Sequence, residues 1–323
     1  MERLKILTWH VHGNYLYYLA QVPHTFYLPV KPGRPEGYGG RAPGFDWPDN
    51  LVDVPAEAVK DLDLNVVLYQ SHKNYLHDQH EILSEAQRLL PRIYLEHDPP
   101  RQHPTDTRHP VDEPDALIVH VTDFNKLMWD SGRTPTRVID HGVLVPDDVE
   151  YTGELERGIV VVNGMPRRGR LAGLDLFQRA CREVPLDLVG MNSQELGGLG
   201  EVGHDELPAL EARYRFFFNP IRYTSLGLAV CEAMSIGLPM LGMATTEMVT
   251  AVENGVSGYV DTNIDRLIGR MKELLDNPAE AQRLSRGARR TGRTRFHIDR
   301  FVQDWVDTLE MVVGDGNRRF VDP

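Results

Sequence analysis

The chain has 323 residues and a formal net charge of −12, with 41% hydrophobic and 25% charged residues. This is the composition of a globular protein large enough for two ordinary domains. The acidic excess argues against a nucleic-acid binder, whose footprint is basic, and leaves room for a local basic pocket; two cysteines, Cys181 and Cys231, supply neither a disulfide framework nor a Cys-based metal cluster.

Residues Met1 to Leu7 run straight into a strand pattern, and no apolar stretch is long enough to span a bilayer. The expectation is a cytoplasmic protein with no signal peptide and no integral membrane segment. Lys5 to Trp9 predicts a buried strand, followed by the turn His10-Val11-His12-Gly13-Asn14 and an apolar helix over Tyr15–Val22. Strand, glycine turn and helix open a doubly wound α/β domain, whose ligands bind beyond the carboxyl ends of the strands. His10, His12, Gly13 and Asn14 are therefore candidate site residues.

Residues 29–50, rich in Pro and Gly, predict a long structureless insert, either a functional loop or a disordered one. Its Tyr38, Phe45 and Trp47 are candidates for stacking on the ring of a ligand. Strands follow at Asn65–Tyr69, Arg92–Leu95, Ala116–Val121 and Val138–Asp140, with helices at His72–Leu90 and Asp123–Asp130. His77 and His80 lie on the first of these helices without a carboxylate or Cys to complete a ligand set, so a polar helix face is expected there. Eleven of the thirteen histidines precede residue 142, and His10, His12, His97 and His141 sit at strand carboxyl ends. Residues 146–153 read as a linker.

A second α/β pattern starts with the strand Gly158–Val162. The loop from Asn163 to Arg170 follows, with three arginines among glycines, and leads to a helix over Leu174–Glu183. Guanidinium groups at such a turn form a concentrated anion site, and Arg168 and Arg170 are assigned to it. The decisive stretch is Asn219 to Pro239. An aromatic strand, Tyr214–Phe218, enters a turn containing Pro220, Thr224 and Ser225. A short apolar helix then starts near Leu226 and is ended by Gly237 and Pro239. A strand, a turn and a helix N-terminus present free N–H groups and the positive dipole end to an anion. Gly227 allows close approach, and Glu232 lies within reach of a sugar hydroxyl beside a bound phosphate. Further on, the spacing of Ile264, Leu267, Ile268, Met271, Leu274 and Leu275 predicts a core-facing helix stripe, as does that of Phe301, Val302, Trp305, Leu309 and Val312.

Ser225-Leu226-Gly227-Leu228, Glu232-Ala233-Met234, Gly237 and Pro239 resemble the donor-binding signature of the family 4 retaining glycosyltransferases. The similarity continues through Glu247, Glu253-Asn254-Gly255, Gly258-Tyr259-Val260 and Asn277-Pro278. The resemblance implies the α/β GT-B fold: two Rossmann-like domains with parallel sheets facing a cleft, and a last helix crossing back to the first domain. The implied division is an acceptor domain over residues 1–148, a donor domain over 149–298 and the returning helix over 299–313.

The resemblance also implies a function. A sugar passes from a UDP- or GDP-sugar to a glycan or glycolipid hydroxyl with retention of configuration, without metal or other cofactor, in surface polysaccharide or glycoconjugate synthesis. Donor contacts fall to Gly13, Asn14, Ser225, Gly227, Leu228 and Glu232, and acceptor contacts to His10 and His12. His97 corresponds to the family's active-site His, and Arg168 and Arg170 stabilise the leaving diphosphate. Two positions depart from the pattern. Thr224 stands where the first Glu of the Glu-x7-Glu pair belongs, and Ala172 where a Lys is usual. A non-catalytic nucleotide-sugar or glycan binder and a nucleotide-sugar epimerase are the alternative readings.

Overall fold

The computed structural model describes residues 3–11 and 13–314. They divide into two compact units. One takes the chain as far as Asp140 together with the last helix from Ile298; the other runs from His141 to His297.

The first unit is built on seven parallel strands. They are β1 (Lys5–Thr8), β2 (Thr25–Val30), β3 (Leu51–Pro55), β4 (Val66–Tyr69), β5 (Arg92–Glu96), β6 (Ala116–His120) and β7 (Thr136–Val138), in the order β3-β2-β1-β4-β5-β6-β7. All four residues of β4 and all five of β6 are buried, as strands covered on both faces must be. Its helices are α1 (Gly13–Leu19), α2 (Gln79–Ile82) and α3 (Asp123–Met128). Thr122 caps α3, its hydroxyl accepting from the Asn125 N–H at 3.1 Å.

The second unit has five parallel strands, β8 (Leu155–Val161), β9 (Leu186–Val189), β10 (Tyr214–Asn219), β11 (Met240–Met243) and β12 (Gly258–Asp261), in the order β12-β11-β10-β8-β9. Helices α4 (Met165–Arg168), α5 (Leu174–Cys181), α6 (Leu207–Glu211), α7 (Leu228–Ile236), α8 (Met248–Ala251), α9 (Ile264–Asp276) and α10 (Pro278–Arg295) accompany them. Asn277 ends α9 and caps α10, its side chain accepting from the Glu280 N–H. The expected stripe on α9 faces the core through Leu267, Ile268, Met271 and Leu274. Gly292 lets α10 lie against α7, since a Cβ there would fall 2.5 Å from the Met234 carbonyl carbon. The last helix, α11 (Ile298–Gly314), buries Phe301, Trp305 and Leu309 in the first unit. There Phe301 meets the Tyr15 ring at 5.7 Å and Arg300 donates to the Asp140 carbonyl at 2.9 Å. No helix among the described residues is long and apolar enough to cross a membrane.

Two expectations are corrected. Residues 29–50 are not a structureless insert. Pro29 and Val30 lie in β2, and the rest is tied back by bridges from Val30 to Gly39 and from His10 to Gly37. Tyr38 is buried in the first unit's core with Lys31 Nζ 3.8 Å from its ring centre, so it is not a stacking surface. Nor is His72–Leu90 one helix. A π turn at Asn74–Asp78 leads into α2, and the chain leaves helical geometry at Leu83. Ser84 and Gln87 then form a capping box: the Gln87 N–H donates to Ser84 Oγ at 3.2 Å, and the Ser84 N–H donates to Gln87 Oε1 at 3.0 Å.

Candidate functional site

The first unit brings its candidate residues together at the carboxyl end of β1. His10 leaves that strand half-buried, with its Nδ1 hydrogen-bonded to the Gly40 carbonyl. Gly13 opens α1, and a Cβ on it would lie 3.5 Å from the His10 ring and 3.9 Å from Phe45. The 31–50 loop therefore folds onto the β1–α1 turn. It sets half-buried Phe45 and Trp47 against Tyr17, with ring centres 5.3 and 5.8 Å away. Asn14 follows Gly13 in the first turn of α1. His12 lies outside the described residues. His97, just past β5, is half-buried. Its Nε2 meets Gln70 Oε1 at 3.0 Å, and its ring stands edge-on to Tyr15 at 4.7 Å. Gln70 in turn donates to Thr8 Oγ1 and the Trp9 carbonyl, so the end of β1 fixes the His97 ring. Gln70 and Tyr15 escaped the sequence reading because neither type signals a site.

His77 and His80 are exposed, and neither belongs to a group of candidate metal ligands among the described residues. A different trio, His72, Glu96 and His109, offers ligand atoms within 4.8 Å of one another. The hydrogen bonds there already assign the His109 proton. The Val111 N–H donates to Nδ1 at 3.1 Å, so Nε2 carries the hydrogen and donates to Glu96 Oε2 at 3.1 Å. A cation at this trio would have to displace that proton and reverse the tautomer.

In the second unit, the arginine loop closes on the turn after β10. Gly173 adopts φ +79°, and a Cβ on it would fall 2.1 Å from the Pro220 carbonyl oxygen. Arg222, which the sequence reading passed over, ties the two segments. It donates to Asp175 Oδ1 and Oδ2 at 2.6 and 2.8 Å and to the Arg170 carbonyl at 2.7 Å. Those Arg222 bonds hold the Asp175 carboxyl below its usual range. Arg170 is exposed and pairs with the same carboxylate at 2.7 Å. Arg168, also exposed, reaches the Asn163 carbonyl at 3.3 Å.

Helix α7 begins at Gly227, which no side chain caps, and all of Val230–Ile236 is buried. A Cβ on Gly227 would meet nothing within 4 Å, so open space faces the backbone at this helix start. Leu228 and the following residue lie before the i→i−4 ladder, where N–H groups need an outside acceptor. Thr224 is half-buried and Ser225 buried in the turn, and His141 Nε2 lies 2.8 Å from the Leu226 carbonyl. Glu232, one turn into α7, is buried at 4% exposure.

Residues 192–291 match the family described as Glycosyl transferases group 1. The matched span holds α7, Thr224 and Glu232, while the arginine loop and the whole first unit lie outside it. A stretch of 123 residues, 36% of this chain, is 33% identical to 25% of D-inositol 3-phosphate glycosyltransferase of Salinispora tropica. Another of 93 residues is 33% identical to 22% of glycogen synthase of Mycobacterium tuberculosis, covering 28% of this chain. The chain thus spans about a quarter of the length of the curated relatives it matches. Among solved structures, sucrose-phosphate synthase from Thermosynechococcus elongatus superposes with a TM-score of 0.70 at 15% identity, over 97% of this chain and 100% of that one. Anabaena HepE in complex with UDP gives 0.65 at 14% identity, over 96% and 100%. The chain has the GT-B fold, as its sequence motif implied.

Glu211, at the end of α6, is a second residue the sequence did not single out. It is fully buried, and neither carboxyl oxygen has a hydrogen-bond partner among the described residues. Burial, then the neighbouring Glu232 charge, push its pKa well above the usual carboxylate value. A carboxyl whose folded pKa is raised binds its proton more tightly folded than unfolded. Its destabilising effect is absent below the unfolded pKa of about 4.3 and grows by about 1.4 kcal/mol per pH unit until the folded pKa is reached. Between about pH 5 and pH 8 the melting temperature of Glu211→Gln should therefore fall less than that of the wild type. Parallel melting curves would contradict this reading of Glu211.

Proposed function

We propose that the protein is a glycosyltransferase that moves a sugar from a nucleotide-sugar to an acceptor hydroxyl with retention of configuration, in surface polysaccharide or glycoconjugate synthesis. The observation that carries the proposal is the junction in the second unit. There a group 1 segment presents an uncapped helix start facing open space, with a buried carboxylate one turn in and an arginine loop closed on the same turn. In this reading Glu232 accepts hydrogen bonds from the ribose hydroxyls. The diphosphate lies at the start of α7, over the N–H groups near Gly227 and Leu228. Arg168 adds an exposed positive charge, and Arg170 and Arg222 fix the loop through Asp175.

The charge that develops on the leaving diphosphate is met by these fixed dipoles and cations. The leaving phosphate then takes the acceptor's proton on the same sugar face, so a metal is not required. His97, oriented by Gln70, is assigned to the donor sugar by the family resemblance, and His10 and His12 to the acceptor, a glycan or glycolipid. The resemblance to HepE in complex with UDP favours a UDP-sugar donor. Thr224, which brings no carboxylate to the sugar, is the feature that favours the second reading, a nucleotide-sugar binder without transferase activity.

The test is a panel of UDP- and GDP-sugars incubated with the protein alone, with nucleoside diphosphate release followed over time. Slow hydrolysis of one donor, unchanged by EDTA, is the expected result. Release that EDTA abolishes and manganese or magnesium restores would overturn the metal-free mechanism. Tight binding of a donor that is never turned over would establish the second reading.

A further inference from the structure

The 31–50 loop sets the state of the His10 ring. A carbonyl oxygen can only accept, so His10 must donate from Nδ1 to the Gly40 carbonyl. The neutral ring then keeps its lone pair on Nε2. That atom lies beside the start of α1, 3.5 Å from where a Cβ on Gly13 would stand, and Phe45 is 3.9 Å from the same point. Two strands hold the Gly40 carbonyl in place. Val30 of β2 bridges to Gly39. Asp53 of β3 accepts from the Arg41 N–H at 3.0 Å and from Arg41 Nε at 3.4 Å. Gly40 has φ +64°, and a Cβ on it would fall 2.6 Å from Val30 Cγ1 and 2.8 Å from Asp53 Oδ1, so a larger residue would push the turn off both strands.

Aromatic rings stand around that nitrogen. Trp47 is edge-on to His10 at 5.9 Å and lies 5.0 Å from Phe45. Its own N–H is taken by the Ala42 carbonyl at 2.7 Å, so the indole offers carbon surface. His10, Tyr17, Phe45 and Trp47 are each half-buried, so each keeps part of its surface open to solvent. We propose that this corner binds a pyranose ring, whose C–H face lies on Trp47 and Phe45 while one of its hydroxyls donates to His10 Nε2. A pyranose pairs an apolar face with a rim of hydroxyls, and the corner pairs an apolar wall with one fixed acceptor. The proposal rests on the acceptor reading of His10 given above and narrows it to a sugar hydroxyl. The hydrogen bond orients the hydroxyl oxygen and removes no proton. Gly40 and Asp53 are positioning residues, because they place the carbonyl that selects the His10 tautomer.

The experiment has two readouts. Nitrogen–proton NMR of the imidazoles at alkaline pH should show His10, recognised as the signal set missing from His10→Gln, with its hydrogen on Nδ1. Trp47→Leu should keep that signal, and Asp53→Ala should lose the single tautomer. Saturation-transfer NMR then takes the methyl glycosides of glucose, galactose, mannose and N-acetylglucosamine, and choline, each with UDP or GDP present. One glycoside should receive magnetisation from the aromatic protons and shift the His10 Nε2 signal. Trp47→Leu should bind that glycoside about ten-fold more weakly, and Trp47→Phe, which keeps a ring, within about three-fold of wild type.

A His10 ring with its hydrogen on Nε2, a panel in which no glycoside binds, or a Trp47→Leu protein that binds as wild type does would overturn the site. Tighter binding of choline than of every glycoside would overturn it too, by making the rings and the exposed Asp46 a cation site. Donor turnover with no glycoside bound sinks this inference and leaves the transferase reading standing. A bound glycoside with no donor ever turned over keeps the sugar site and sinks the transferase reading.

Discussion

Replacing Arg168 by Ala is expected to reduce sugar transfer about ten-fold or more while the melting temperature stays nearly unchanged. The side chain is exposed, and it donates to the Asn163 carbonyl at 3.3 Å. Contacts of an exposed side chain contribute little to stability. What truncation removes is a charge-assisted contact to the leaving diphosphate worth roughly 1.5–3 kcal/mol, which translates directly into rate.

Arg170 should behave differently. Its guanidinium is paired with Asp175, and Arg222 already holds that carboxylate by two bonds. Arg170→Ala is expected to cost less than about three-fold, in keeping with the small worth of exposed ion pairs. Comparing kcat/KM for the two variants decides the assignment. Equal losses would place both guanidinium groups on the diphosphate, and two silent variants would reduce the loop to a solvated surface.

The second large effect is expected at Gly173. Substitution by Val asks a β-branched residue to adopt φ +79° and puts its Cβ 2.1 Å from the Pro220 carbonyl oxygen. Left-handed backbone alone costs roughly 1–3 kcal/mol for such a residue, and the collision is with backbone, which cannot rotate away. The loop must part from the turn, so donor turnover should be lost and the melting temperature should drop by roughly 10 °C, at about 2–4 °C per kcal/mol in a chain of this size. Gly269→Ala is the control. That glycine is exposed within α9 with nothing within 4 Å of the added Cβ, and the change should stabilise by about 0.5–1 kcal/mol. A Gly173→Val protein that melts and turns over donor like the wild type would show that the Pro220 contact does not shape the site.

Much of this architecture is legible in the residues. Buried strands such as Val66–Tyr69 read as unbroken apolar runs because both faces are covered. The stripe on α9 shows the helical period, and Asn277-Pro278 announces both a stop and a start. The turn before α7 is legible because Gly227, the apolar helix and Gly237 each have a distinct backbone task. What stayed hidden depends on contacts between distant residues. Leu51–Pro55 follows a stretch of Pro and Gly, and its strand state comes from pairing with β2.

The break at Ser84 was written in Ser-x-x-Gln but masked by a plausible helical period. Arg222 stands inside the motif itself, and only its bonds to Asp175, 47 residues away, give it a role. Glu211 carries no sequence signal at all. An acidic residue after Leu-Pro-Ala-Leu reads as a surface position until the packing of α6 against α7 buries it.

The account stands on Glu232 as the group that holds the nucleotide, and titration calorimetry of UDP and GDP into wild type and Glu232→Gln tests that most directly. Wild type should bind one of the two nucleotides without added metal. Glu232→Gln has lost one accepting oxygen and the charge, and should bind it more weakly by roughly 1–3 kcal/mol. Equal affinity in the two proteins would contradict the placement of the nucleotide on α7, and with it the donor site built around Gly227.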